Sequence, residues 1–157
     1  MKIRVFTDGA CSENPGPGGW AAVFNHEHCL EHICGYEKET TNNRMELLAV
    51  VNAIKEIIKN HIEGQDYELY SDSAYVVNSI NNGWVDNWYM NGWRTTKGDD
   101  IKNKDLWLQL IKYKGKLLSE GIQLNIFKIK GHSGNTFNEY VDKLAKEQVL
   151  KARMEDR

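Results

Sequence analysis

Both prolines of this 157-residue chain fall in one stretch, Asn14-Pro15-Gly16-Pro17-Gly18-Gly19. Proline removes a backbone donor and fixes φ, and glycine is the weakest helix former after it, so this stretch has to be a turn or loop. It follows an apolar-rich run at residues 3–7 and precedes Trp20-Ala21-Ala22-Val23-Phe24. Short apolar runs separated by turn chemistry read as strands. A third strand is expected over residues 29–37. The chain is thus committed to a sheet from its start, and the rest has to build on it.

The hydrophobic period then changes. Between residues 44 and 60, Leu47, Val51, Ile54 and Ile58 recur every three or four positions, the spacing of an amphipathic helix. Residues 67–71 read as a short buried strand, and 73–81 as a short helix ended by Asn82-Gly83. Residues 84–104 stand apart, with Trp84, Trp88, Tyr89 and Trp93 crowded into ten positions. A helix over 106–118 follows, with Leu106, Leu110, Ile111, Leu117 and Leu118 mostly on one side. A half-buried strand over 122–129 and a helix over about 137–152 complete the order. One domain over 1–157 is expected: a mixed α/β fold whose five-stranded mixed sheet carries helices on both faces.

Charge narrows the function classes. Lys and Arg total 20 against 22 acids, a formal net charge of −2. That balance excludes a protein that holds nucleic acid by bulk positive charge, and equally a polybasic membrane binder. The total hides unlike parts: residues 1–100 hold 8 basic and 15 acidic side chains, and residues 101–157 hold 12 and 7. No stretch approaches the ~20 apolar residues that span a bilayer, and the N-terminus enters a strand pattern with no signal-peptide core. The expectation is a soluble monomer in the cytoplasm, with no membrane partner. Three cysteines, Cys11, Cys29 and Cys34, cannot all pair within the chain and are expected to be reduced. His26, His28, Cys29, His32 and Cys34 lie close together, but strand alternation puts Cys29 on the opposite face from His28, His32 and Cys34. Their spacing also lacks the CxxC-like pairs of structural zinc sites, so a polar hairpin tip leading into an edge strand is the better reading.

Four acids stand where the expected elements converge. Asp8 is expected at the C-terminal end of the first strand and Asp72 at the end of the fourth, positions that face the ligand crevice in open α/β sheets. Glu46 falls in the first turn of the long helix, and Asp142 in the last helix. Each alone has a plainer account. Asp8-Gly9 is a turn dipeptide, Glu46 lies three after Asn43 as in a capping box, Asp72 can cap the helix at Ser73, and Asp142 can pair with Lys146.

Together they do not. Thr7-Asp8-Gly9-Ala10-Cys11 with the Asn14–Gly19 loop, then Thr40-Thr41-Asn42-Asn43-Arg44-Met45-Glu46-Leu47, then Ser71-Asp72-Ser73, then Lys130-Gly131-His132 with Asn138-Glu139 and Asp142, closely resemble type 1 (bacterial-type) ribonuclease H. The match runs in order from about residue 3 to 145, and includes Gly92-Trp93 and Lys102-Asn103-Lys104-Asp105-Leu106-Trp107. Four motifs in register are far more specific than any one of them.

The resemblance implies a ribonuclease H-like fold and an endonuclease that hydrolyses the RNA strand of RNA/DNA hybrids, leaving 3′-hydroxyl and 5′-phosphate ends. It implies that Asp8, Glu46, Asp72 and Asp142 bind two divalent ions, Mg²⁺ with Mn²⁺ as a substitute. Hard cations want oxygen ligands, and two ions roughly 3.5–4 Å apart can activate the entering water and neutralise the leaving oxygen. His132, between Gly131 and Gly134, is implied to move a proton to or from the water or leaving group. Cys11, Asn14, Asn42 and Asn43 are implied to lie along the hybrid's minor groove, where the 2′-hydroxyl distinguishes RNA from DNA. Ser73 joins them as a substrate contact, Thr41 and Asn103 match positions that grip a DNA-strand phosphate, and Trp84 is expected against DNA sugar rings. Trp88 and Trp93 are expected to pack at the base of the protruding handle, and Trp107 in the core.

The chain departs from the bacterial pattern in three places. Its handle reads Trp88-Tyr89-Met90-Asn91-Gly92-Trp93-Arg94, then Lys97 and the acidic pair Asp99-Asp100, where relatives are rich in Lys and Arg. Ala74 stands where a glutamine often follows, and Glu39 near a position often basic. Since phosphate contacts set affinity and its salt dependence, hybrid binding should be weaker than in Lys-rich relatives. Two rivals are weaker readings. A transposase or resolvase core lacks the Thr40–Leu47 segment, and a non-catalytic hybrid-binding module would have lost one of the four acids.

Overall fold

The computed structural model describes residues 2–26, 29–61, 63–130 and 135–155. Strand β1 (Lys2–Cys11) runs antiparallel to β2 (Gly16–His26), from Arg4 opposite Asn25 to Cys11 opposite Gly18. The Pro/Gly stretch thus closes a hairpin, tied by the Ser12 amide donating to the Pro17 carbonyl at 2.8 Å. β3 (Cys29–Thr40) continues antiparallel on β2 and is an edge strand. Helix α1 (Asn42–Asn60) then crosses to β4 (Asp66–Ser71), which lies parallel to β1. α2 (Ala74–Asn81), α3 (Trp84–Met90) and α4 (Lys104–Ser119) precede β5 (Leu124–Lys128), parallel to β4, and α5 (Thr136–Glu155) closes the chain. The sheet order is β3-β2-β1-β4-β5, and the sheet is mixed and five-stranded as expected from the sequence.

Alternation along the strands feeds two cores. Ile3 and Val5 of β1 with Ala22 and Phe24 of β2 pack under α1, where Leu47, Val50, Val51 and Ile54 are fully buried. Phe6, Ala21 and Val23, on the other face, pack under Val141, Leu144 and Ala145 of α5. Each of the larger side chains withdrawn from water contributes ~1.5–3 kcal/mol, so the sheet cannot slip by one residue without turning both cores out. Trp107 is wholly buried, and the rings of Tyr75 and Trp88 meet it edge-on at 5.6 Å each. Trp93 is buried too.

Three expectations need correcting. Residues 84–90 form a helix, α3, opened by Gly83 in the left-handed region at φ 76°. Leu118 is 81% exposed, not on the packed side of α4; Leu117, one residue and ~100° round the helix, takes the buried place. The third strand runs three residues further, to Thr40, which carries Thr41 to the start of α1.

Candidate active site

The parallel register pairs Thr7 of β1 with Ser71 of β4. The next residues on the two strands, Asp8 and Asp72, therefore arrive side by side just where β4 ends, while β1 runs three residues beyond the end expected at Asp8, to Cys11, because it stays paired with β2. α1 brings the third acid. Its N-cap is Thr41, whose Oγ1 accepts from the Arg44 amide at 3.2 Å, so Asn43 is not the cap and the capping-box account of Glu46 fails. Asp72 is likewise not a cap: Ser73 caps α2 by accepting from the Val76 amide at 3.2 Å. Glu46 instead turns inward and is buried.

Gly9 lets α1 come this close. A Cβ there would collide with the backbone of Met45 and Glu46. With no side chain in the way, the Gly9 amide donates to Glu46 Oε1 at 2.5 Å and to Asp8 Oδ1 at 2.9 Å. Sequence reasoning passed over Gly9 as half of a turn dipeptide. Its signal was available in the need for a residue without a side chain beside a helix that must approach a strand.

Asp142 of α5 completes the group, hydrogen-bonded with Asp8 and paired with Lys146 Nζ at 2.9 Å. The pairing proposed as its plainer role is present, and the residue faces the cleft as well. All four acids line one cleft of about 460 Å³, with Asn42, Asn43, Ser73, Tyr75 and Lys146 among its other walls.

The electrostatics are unfavourable by design of the geometry. Burial first, then hydrogen bonding with Asp142 and the charges of Asp72 and Asp142, push the Asp8 carboxyl up to about 7, against a lowering hydrogen bond with Glu46. Burial, and then Asp8 itself, hold Glu46 well above the usual carboxylate range. Crowded carboxylates relieve such repulsion by taking up protons or cations. Two observations favour cations. One oxygen each from Asp8, Glu46 and Asp72 lie within 4.8 Å of one another, and Glu46 Oε2 is buried with no hydrogen-bond donor among the described residues. An all-oxygen, acceptor-only set fits a hard divalent ion such as Mg²⁺ or Mn²⁺.

Around the cleft, the expected substrate residues fall into two groups. Asn14 and Asn42 are joined, the Asn14 carbonyl oxygen Oδ1 accepting from the Asn42 amide at 2.9 Å. The Cys11 thiol meets the carbonyls of Thr40 and Gly16 at 3.4 and 3.5 Å, and burial pushes its pKa up. Asn103, in the left-handed region at φ 60°, accepts from Arg44 Nη1 at 3.4 Å and donates to the Tyr75 hydroxyl at 3.2 Å. Trp107 Nε1 donates to the same hydroxyl at 3.0 Å. Arg44 also clasps Asp105 at 2.6 Å and lies 3.5 Å from Glu37, tying α1 to α4 and β3. Tyr75 and Arg44 were not singled out from the sequence. An arginine in the first turn of a helix, where the dipole disfavours a cation, was the available signal for Arg44. Trp84 lies outside the cleft on α3, 44% exposed. His132, Gly131 and Gly134 lie outside the described residues, as does His28. Among the described residues, the His26–Cys34 hairpin makes no cluster of metal-ligating groups.

Comparison with known proteins places this geometry. The family model described as RNase H matches residues 1–150. A ribonuclease H of Syntrophomonas wolfei subsp. wolfei is 46% identical over 148 residues, 94% of this chain and 96% of that one. Another, of Acetivibrio thermocellus, is 44% identical over 150 residues, 96% of each. Among solved structures, LC9-RNase H1, a type 1 RNase H with the type 2 active-site motif, superposes with a TM-score of 0.79 at 25% identity, over 96% of this chain and 73% of that one. LC11-RNase H1, solved in complex with an RNA/DNA hybrid, has the same fold with a TM-score of 0.70 at 23% identity, over 96% of this chain and 99% of that one.

Proposed function

The chain belongs to the ribonuclease H family, and from that premise we propose that it hydrolyses the RNA strand of RNA/DNA hybrids by two-metal-ion catalysis, leaving 3′-hydroxyl and 5′-phosphate ends. The observation that supports this most is the convergence of Asp8, Glu46, Asp72 and Asp142 on one cleft with acceptor-only chemistry. These four residues would hold two divalent ions, Mg²⁺ with Mn²⁺ as a substitute. Bound there, the ions supply activation of the entering water and neutralisation of charge on the leaving oxygen.

The chain's own residues do the rest. Gly9 holds Asp8 and Glu46 in place through its amide, so the ligand set is built before substrate arrives. Lys146 orients Asp142 and adds a positive charge to the wall the phosphodiester meets. His132 is assigned the proton transfer at the water or the leaving oxygen, a task suited to an imidazole, which can both accept and donate a proton. On the substrate side, the joined pair Asn14 and Asn42, with Cys11, Asn43 and Ser73, reads the minor groove and its 2′-hydroxyls. Thr41 and Asn103, held close by Arg44, take a phosphate of the DNA strand, and Trp84 meets its sugars. The whole chain, residues 1–157, acts as one catalytic domain, a monomer in the cytoplasm.

The test is a hybrid labelled on each strand, incubated with Mg²⁺ and then with chelator. Loss of the RNA strand alone, dependent on Mg²⁺, is the expected result. Binding without cleavage would make the protein a hybrid-binding module, and cleavage of the DNA strand would make it a different nuclease.

A further inference from the structure

A second concave site lies on the α1/α4 face, far in character from the acidic cleft. It is a pocket of about 620 Å³ whose walls include Trp20, Tyr113, Lys55, Lys59, Lys112 and Lys116. We propose that this pocket binds a nucleoside polyphosphate, its ring against the Trp20 and Tyr113 side and its phosphates on the four lysines.

The lysine arrangement is the first argument. Lys55 and Lys59 stand four residues apart on α1, and Lys112 and Lys116 four apart on α4, so each helix places two like charges on one face. The two pairs then meet across one pocket. Like charges at this spacing destabilise a helix, and two such pairs brought together compound the cost. Among the described residues none of the four has a carboxylate partner within ion-pair distance. The one acid in the wall, Glu56, accepts from the Asn60 amide group at 2.5 Å. The pocket therefore carries four ammonium groups against one carboxylate, a net of +3, which suits the charge of a nucleoside diphosphate near neutral pH.

The aromatic arrangement is the second. The ammonium groups of Lys55 and Lys112 lie 5.9 and 5.7 Å from the centre of the Tyr113 ring, so cations are held around an aromatic face. Trp20 is fixed by the strand opposite it. Gly35 is its cross-strand partner, and a Cβ there would strike the indole at 2.7–2.8 Å, so the bare glycine gives the ring its seat on β3. A rigid indole beside convergent lysines is the combination that takes a base and its phosphates together. The volume lies in the ~300–1,000 Å³ range of small-molecule sites, larger than a lone phosphate needs.

The test is titration of the whole protein with ADP, pyrophosphate and adenosine in chelator, so that the carboxylate cleft cannot capture a metal–nucleotide complex. Binding is read by calorimetry and by amide shifts in two-dimensional NMR. ADP should bind with its shifts centred on α1, α4 and Trp20, and more tightly than pyrophosphate or adenosine by about tenfold. Lys59→Glu/Lys112→Glu should weaken ADP by about tenfold or more, and Trp20→Leu should weaken ADP while leaving pyrophosphate unchanged. ADP should also raise the Tm of the wild type and not of the lysine variant, a readout independent of cleavage. The proposal is overturned if ADP does not bind at millimolar concentration or if pyrophosphate binds as well as ADP. It is equally overturned if the lysine variant binds undiminished, or if a single-stranded oligonucleotide outcompetes ADP at these residues.

Discussion

The molecule concentrates like charge in two places and treats them differently. In the cleft at the ends of β1 and β4, carboxylates are buried against one another, and Asp8 and Glu46 are held above their ordinary range. On the α1/α4 face, four lysines converge at the surface, where water screens them. Burial makes the difference. Repulsion in the cleft is strong enough to demand a proton or a cation, whereas repulsion among exposed lysines costs tenths of a kcal/mol and is tolerated. A net charge of −2 for the whole chain conceals these two opposed concentrations and is not a sign of an even surface.

The comparison can be broken from either side. The largest effect is expected in the cleft: Glu46→Gln, which keeps size and removes charge, should lower RNA-strand cleavage by roughly 10³-fold or more with Mg²⁺ present. Lys59→Glu/Lys112→Glu should leave that rate unchanged, measured on the same labelled hybrid. A rate loss in the lysine variant would mean that the two regions are coupled. Gly9→Ala comes next. Forcing a Cβ against the backbone of α1 should cost ~1–3 kcal/mol in urea unfolding and weaken cleavage by displacing Glu46.

A smaller effect separates the two regions by pH. Asp8 titrates near 3.8 when unfolded and about 7 when folded, so between these values the folded protein holds a proton the unfolded chain lacks. Stability of the metal-free protein is then greatest at the acid end of that window and falls as pH rises through about 7. Urea unfolding in chelator should show lower stability at about pH 8 than at about pH 5, and Mg²⁺ should remove most of the difference. Equal stabilities in chelator would contradict the crowding argument. The smallest effect concerns the handle. Arg94 is engaged by Asp100 at 3.0 Å and by the Gly98 carbonyl, which leaves Lys97 as the handle's one cation without an ion-pair partner among the described residues. Hybrid affinity should accordingly fall less steeply with salt than in a Lys-rich relative.

Much of this was legible in the sequence because its signals are local and strongly periodic. The Pro/Gly hairpin, the helix period through Leu47, Val51 and Ile54, and the order of elements follow from patterns that survive in one dimension. α3 was not legible. Seven residues give two turns, too few for a period to emerge, and its start is set by Gly83 in a left-handed conformation rather than by a side-chain cap. Leu118 was misplaced because two adjacent leucines on a helix differ by ~100°, and only tertiary packing decides which is buried. The site divides in the same way. The four acids stood out through the motifs around them, but Gly9, Tyr75 and Arg44 act through approach and hydrogen bonding between segments distant in sequence. The lysine pocket was visible only as a basic excess, since pairing Lys55 and Lys59 with Lys112 and Lys116 requires the packing of α1 on α4.

The most direct measurement sets wild type against Asp8→Asn on a hybrid labelled in both strands, with Mg²⁺ and matched hybrid binding. The account predicts that the wild type cuts the RNA strand alone and that the variant, still folded and still bound, is nearly inactive. Full-rate cleavage by the variant would contradict the assignment of the carboxylate cleft as the catalytic centre.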